Sequence, residues 1–272
     1  MRFDMHVHSN VSGDSSARMA DVVGAAIDKG LDGLCFTDHC DLMNCEVPGK
    51  KEVHCYTNWA RSYSEIARVR ASFGDRIELL HGMELAEIAQ DPERAEQCAN
   101  APELDFLLGS VHAVTGYKDF YYLDYPDLHF CRNLVDLYLD ENIRLAELNI
   151  MDAVAHVSYY NRYMSQHGFW VDVMDYEEKL RHLFEILARN GKGIEINTSG
   201  LRRNPGPNRA IPELPVLKLF RECGGEVVTT GSDAHTAKHV GSHLGEAQEL
   251  LRAAGFGYMT VFRKRKPDFI SL

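Results

Sequence analysis

Residues able to hold a metal ion recur along this 272-residue chain wherever a short β-type run ends, and that placement limits the folds open to it. The runs alternate with longer helical stretches. Phe3–Val7 precedes an amphipathic segment, Ala20–Lys29, which Gly30 closes as helices often close. Gly33–Thr37 leads to helical spacing over Tyr56–Ser72, Ile77–Met83 is the third run and Phe106–Ser110 the fourth. A long helical pattern, roughly Leu128–Leu148, precedes a short fifth run at Ala153–Ala155. Helix Tyr176–Arg189 feeds Gly193–Asn197, helix Pro212–Cys223 feeds Glu226–Thr230, and helix Leu244–Ala254 precedes a terminal run at Tyr258–Phe262. Such alternation predicts parallel strands joined by right-handed crossovers. The expected fold is α/β: a seven-stranded (β/α) barrel formed by a single domain over 1–272, with an open doubly wound sheet second.

In closed α/β barrels the active site is built at the C-terminal ends of the strands. The residues at those positions here are His6 and His8, Asp38 and His39, Glu84, His112, His156, and Asp233 with His235; Asp14 follows the first strand in a Ser-Gly-Asp turn. A lone histidine is ordinarily a packed or surface side chain, so His54, His81, His129, His167 and His182 are excluded. His81 lies three residues from Glu84 on one strand and so faces the other way. His239 and His243 have helical chelate spacing but are read as decorating a helix face. For the strand-end set, coincidence would have to recur at six places, which points to a polynuclear metal hydrolase. Mixed imidazole and carboxylate donors suit two to three divalent transition ions, zinc, iron or manganese.

Composition narrows the alternatives. A net charge of −11 argues against nucleic acid or a membrane surface as partner. There is no apolar leader and no apolar run of membrane-spanning length, so a cytoplasmic protein is expected. The seven cysteines are odd in number and lack paired spacing, which reads as reduced thiols. Cys40, Cys45, His54 and Cys55 match none of the common zinc spacings and are not taken as a site. The stretches Asp41–Val53 and Arg202–Pro215 read as long loops, of the kind that often carry function.

Four motifs carry a family resemblance: His6-Val7-His8, Thr37-Asp38-His39, Gly109-Ser110-Val111-His112 and Gly231-Ser232-Asp233-Ala234-His235. With them the chain resembles the PHP (polymerase and histidinol phosphatase) family. The run from Glu195 to Arg202 and the tail from Thr260 to Pro267 point to its histidinol-phosphatase branch. The resemblance implies a distorted (β/α)7 barrel with a trinuclear site. His6, His8, Glu84 and Asp233 would hold one ion; Glu84, His112 and His156 a second; and His39, His235 and position 14 a third. Many relatives carry histidine at that last position, where this chain has Asp14.

The implied activity is metal-dependent hydrolysis of a phosphomonoester, L-histidinol phosphate in histidine biosynthesis, by a metal-bridged hydroxide attacking phosphorus. Phosphate would be product or inhibitor. Glu84, Asp233 and His235 are the expected catalytic residues, Arg162 and Arg202 the expected phosphate clamp with Arg203 as fallback, and Asp38 a partner that orients a ligand histidine. Acidic loop residues such as Asp41 or Glu46 are candidates for reading the histidinol amine. Three other readings are weaker. A PHP esterase of nucleotides fits the branch motifs less well. An amidohydrolase would commonly bridge its metals with a modified lysine, and Ile77–Glu84 contains none. A degenerate binding module would be expected to have lost ligands. Oligomeric state is not legible.

Overall fold

The computed structural model describes residues 1–42, 55–202 and 208–272. Cys45, Glu46, His54 and Arg203 lie outside the described residues. The strands are β1 (Phe3–Val7), β2 (Gly33–Phe36), β3 (His39–Asp41), β4 (Glu78–Ala86), β5 (Phe106–Ser110), β6 (Ala153–Val154), β7 (Gly193–Asn197), β8 (Val228–Gly231), β9 (Tyr258–Arg263) and β10 (Lys266–Ser271). The helices are α1 (Met19–Asp28), α2 (Cys55–Phe73), α3 (Pro92–Ala99), α4 (Leu128–Leu148), α5 (Asn161–Met164), α6 (Glu177–Arg189), α7 (Leu214–Glu222) and α8 (Leu244–Ala254). Strands β1-β2-β4-β5-β6-β7-β8 pair in that order, all parallel, and β3 pairs with the outer part of β4. A parallel bridge between Val7 and Ala234 links the last strand to the first. The result is a nearly closed seven-stranded barrel wrapped in helices. Among the described residues no helix is long and apolar enough to cross a membrane.

The helices form as their patterns require. On α1, Met19, Val22, Val23 and Ala26 are buried at the spacing of one helical stripe. On α4, the Asp127 side chain accepts the Phe130 N–H at 2.8 Å, and Asn149 ends the helix in the left-handed region at φ 56°. Because the barrel strands are parallel, their C-terminal ends share one rim, and every strand-end residue singled out above converges there.

The strand pattern departs from expectation in three places. β4 continues to Ala86, so Glu84 sits within the strand. His39 lies on a short strand of its own, in register with Glu84. The chain ends in an antiparallel hairpin, β9–β10, whose turn places Lys264 and Arg265 at φ 52° and 63° without the usual Asn-Gly signal. This hairpin braces the opposite rim. Arg263 grips Glu78 bidentately at 2.6 and 2.7 Å, the Lys264 N–H donates to Asp105, and Arg265 pairs with Asp152. These acids stand at or just before the starts of β4, β5 and β6.

His81 faces away from the rim residues, as its position on β4 requires. It stacks on Trp59 at 3.8 Å between centroids, and its Nε2 is 2.8 Å from the Ser62 hydroxyl. Burial, with Arg70 nearby, pushes its pKa down to about 3. A histidine depressed on folding stabilises the fold above its unfolded pKa and loses that contribution as pH falls through ~6.5. Between about pH 7 and pH 5 this group alone should cost about 2 kcal/mol of stability. Urea unfolding at both pH values should show a pH dependence smaller by that amount in His81→Gln than in the parent.

Candidate metal centre

Glu84 occupies the middle of the rim. Its Oε1 lies 3.0 Å from His156 Nε2 and 3.2 Å from His112 Nε2. Its Oε2 lies 3.3 Å from His6 Nε2, 3.4 Å from His8 Nε2 and 3.0 Å from His39 Nδ1. One buried carboxylate therefore faces five imidazoles, with its two oxygens turned toward different groups. Asp233 Oδ1 closes the next set, 3.4 Å from His8 Nε2 and 3.9 Å from His6 Nε2. At the outer edge the half-exposed Asp14 carboxylate is 3.0 Å from His235 Nε2 and 3.5 Å from His39 Nε2. All nine residues expected as ligands are brought together. In the sets His6–His8–Asp233, His8–His39–His235 and His39–Glu84–His112, the donor atoms lie within 4.8 Å of one another.

The donor set suits metal. Glu84 Oε2 and His39 Nδ1 are both buried and 3.0 Å apart, yet neither makes a hydrogen bond. Two buried polar atoms left without a hydrogen bond and aimed at one region are costly, and a cation would satisfy both. Backbone strain points the same way. His156 and Asp233 hold φ of 27° and 51°, in the left-handed region where such residues cost about 1–3 kcal/mol each. The Asp233 peptide is nonetheless held, its N–H donating to His6 O at 2.8 Å.

Burial opposes charge at each of these groups, and the neighbours decide the outcome. At Glu84, His6, His39 and His112 outweigh burial and hold the carboxyl well below its usual range. Arg162 and His6 do the same for Asp233. Burial together with His235 and His39 pushes His8 down to about 3, which leaves it a neutral imidazole with a lone pair to offer near neutral pH.

Neither arginine expected to clamp phosphate is a solvated surface charge. Arg162 is buried on α5, and its Nη2 donates to Asp233 Oδ2 and to Ser199 Oγ, both at 2.6 Å. Its Nε is buried without a hydrogen-bond partner. Arg202 is half-buried and donates to the backbone carbonyls of Ser232 at 2.6 Å and Asp233 at 3.2 Å. Asp41 sits at the same mouth, 3.6 Å from His112 Nδ1 and 3.9 Å from His39 Nδ1.

The model of the PHP domain family matches residues 4–199. The chain belongs to the PHP domain family. Two similar relatives are the histidinol-phosphatase of Lactococcus lactis subsp. lactis, 29% identical over 98% of this chain and 96% of the relative, and the probable histidinol-phosphatase of Thermotoga maritima, 27% identical over 96% of each. Among solved structures, this PHP chain is similar to histidinol phosphate phosphatase from Lactococcus lactis, complexed with zinc, L-histidinol and phosphate. That match has a TM-score of 0.82 and 26% identity and covers 98% of both chains. The fold is also similar to a Listeria monocytogenes protein, with a TM-score of 0.77 and 18% identity over 90% of this chain and 99% of that one.

Two rim carboxylates of this PHP chain were absent from the set expected on sequence. Glu195, buried on β7, accepts from His6 Nδ1 at 2.6 Å through Oε1, and through Oε2 from the His156 N–H at 3.1 Å and Asn197 Nδ2 at 3.2 Å. Alternation along β7 carries the signal, because Glu195 and Asn197 share the lumen face. Glu87, at φ 58°, accepts the N–H groups of His112 and Ala113 at 2.7 and 3.0 Å, and burial pushes its carboxyl up to about 8. Gly231 has a steric reason for being glycine: a Cβ there would lie 2.3 Å from His6 Cβ and 2.4 Å from Glu195 Oε1. Carboxylate partners of ligand histidines typically contribute ~10–100-fold to metal affinity. Glu195→Gln should therefore weaken metal binding by about that factor, as read by chelator competition.

Proposed function

We propose that this chain, acting as one domain over 1–272, is a metal-dependent phosphomonoesterase that hydrolyses L-histidinol phosphate to L-histidinol and phosphate. The observation that carries this reading is the Glu84 carboxylate shared among five rim histidines, in a chain similar over its full length to a phosphatase solved with zinc, L-histidinol and phosphate. His6, His8, Glu84 and Asp233 would hold one divalent ion, Glu84, His112 and His156 a second, and His39, His235 and Asp14 a third. Bound there, such ions supply Lewis acidity to the phosphoryl group and make water a stronger acid.

The chain's own residues account for the rest. Glu84 and Asp233, kept ionised by their neighbours, offset the cationic charge and fix its position. Arg162 has an unpartnered buried Nε to offer a phosphoryl oxygen, a charge-assisted contact that strengthens as the equatorial oxygens gain charge. Arg202 adds a second cation beside the Ser232–Asp233 carbonyls. Asp41, half-exposed at the mouth, is placed to meet a cationic leaving group. The test is phosphate release from a panel of phosphomonoesters. L-histidinol phosphate should give a higher kcat/KM than nucleoside monophosphates; equal or better turnover of nucleotides would assign the site to them instead.

Asp14 gives this centre a harder outer edge than imidazole would. Asp14→Ala should lower metal content by about one ion per chain in elemental analysis, and Asp14→His should retain activity while shifting preference toward zinc. Unchanged stoichiometry in Asp14→Ala would make this aspartate a turn residue.

A further inference from the structure

Ser12 stands in the turn after β1, buried between the rim and the segment that follows β2. Its hydroxyl has three contacts: Oγ is 2.9 Å from Asp38 Oδ1, 3.1 Å from the His39 backbone N and 3.1 Å from His8 Nδ1. A serine hydroxyl carries one hydrogen and two acceptor lone pairs. Asp38 already receives the Ser9 N–H at 2.6 Å, the Ser9 hydroxyl at 2.9 and 3.0 Å, and the Ser62 hydroxyl at 3.4 Å. It is an acceptor, so the Ser12 hydrogen goes to it. The His39 N–H can only donate, and it fills one lone pair. The second lone pair is left for His8, whose Nδ1 must then carry the hydrogen.

We propose that Ser12 is a positioning residue that holds His8 as its Nδ1–H tautomer and joins it, through one hydroxyl, to Asp38 and to the backbone of His39. The Nε2 lone pair of His8 is thereby turned into the metal centre, 2.9 Å from His6 Nε2 and 3.4 Å from Glu84 and Asp233. The two histidines of the opening motif are fixed by different chemistry, His6 by the Glu195 carboxylate and His8 by a neutral hydroxyl that passes the contact to Asp38. A carboxylate makes its imidazole the more basic donor, so the pair is unequal in donor strength. Ser12 also couples two segments of the site, because the peptide it holds is that of His39, which faces Glu84 and Asp14. The inference rests on the metal-centre reading for its consequence, though not for its geometry.

The test reads the tautomer directly. Long-range ¹H–¹⁵N spectra of the metal-free full-length chain at neutral pH should show His8 with hydrogen on Nδ1. In Ser12→Ala that signature should be lost, and Ser12→Thr, which keeps the hydroxyl, should restore it. Zinc affinity by chelator competition should fall about 10- to 100-fold in Ser12→Ala and recover in Ser12→Thr. An Nε2–H tautomer in the parent protein, or an unchanged tautomer and affinity in Ser12→Ala, would overturn the proposal. If Ser12→Ala does not fold, the parent spectrum still decides the tautomer, and with it the proposal. A parent protein with the Nδ1–H tautomer but no phosphatase activity would support the positioning role while removing the proposed substrate.

Discussion

Glu84→Gln should be the most damaging single change, lowering kcat/KM for L-histidinol phosphate by roughly three orders of magnitude or more. The amide keeps the shape but removes one anionic oxygen from a carboxylate that faces His156 and His112 on one side and His6, His8 and His39 on the other. A glutamine can offer one acceptor and one donor, and its donor side cannot ligate a cation. Two of the proposed ion sites would lose a charged ligand at once. Metal catalysis is worth several kcal/mol at the transition state, and each ~1.4 kcal/mol is tenfold in rate. Elemental analysis of the purified variant should show fewer ions per chain than the parent. Parental activity and metal content in this variant would remove Glu84 from the centre.

Arg162→Ala should cost about 2–4 kcal/mol of transition-state stabilisation, or roughly 30- to 1000-fold in kcat/KM, and Arg202→Ala less. The difference follows from their surroundings. Arg162 is buried and ion-paired with Asp233, so its removal both deletes the proposed phosphate donor and leaves a buried carboxylate without its partner. Arg202 is half-buried, with two donors directed to carbonyls. The sequence expectation gave both arginines to phosphate alone. The ion pair to Asp233 extends the Arg162 role to the metal centre, so Arg162→Ala should also weaken metal retention in chelator competition. Arg162→Lys should not rescue it, because a single ammonium that takes the place of Nη2 at Asp233 and Ser199 leaves no second nitrogen in the place of the unpartnered Nε.

The barrel and the rim residues were legible because strand alternation and parallel topology leave little choice about which end a strand-end side chain joins. His6 and His8 share a face by period two, and His81 is excluded by the same rule; it is found stacked on Trp59. Asp38 was expected to orient a ligand histidine, but its route to His8 through the Ser12 hydroxyl, and the Glu195 partner of His6, were not legible, for physical reasons. Glu195 meets His6 across 189 residues of sequence and Asp38 meets Ser12 across 26, distances over which local pattern carries no information. Strand β3 is three residues long, below the length at which alternation can be read. Helix α3 had an Asp91-Pro92 start signal, but its eight residues bury only Ala95 and Cys98, too weak a stripe to stand out. The hairpin escaped because Lys264 and Arg265 adopt positive φ where glycine or asparagine would be expected, held there by Asp105 and Asp152.

The most direct test is to strip the protein with a chelator, confirm the loss of metal by elemental analysis, and follow phosphate release from L-histidinol phosphate as zinc, iron or manganese is returned in measured equivalents. Activity should be absent without metal and should rise to a plateau at two to three ions per chain. Full turnover by metal-free protein, or none at any metal loading, would contradict the account.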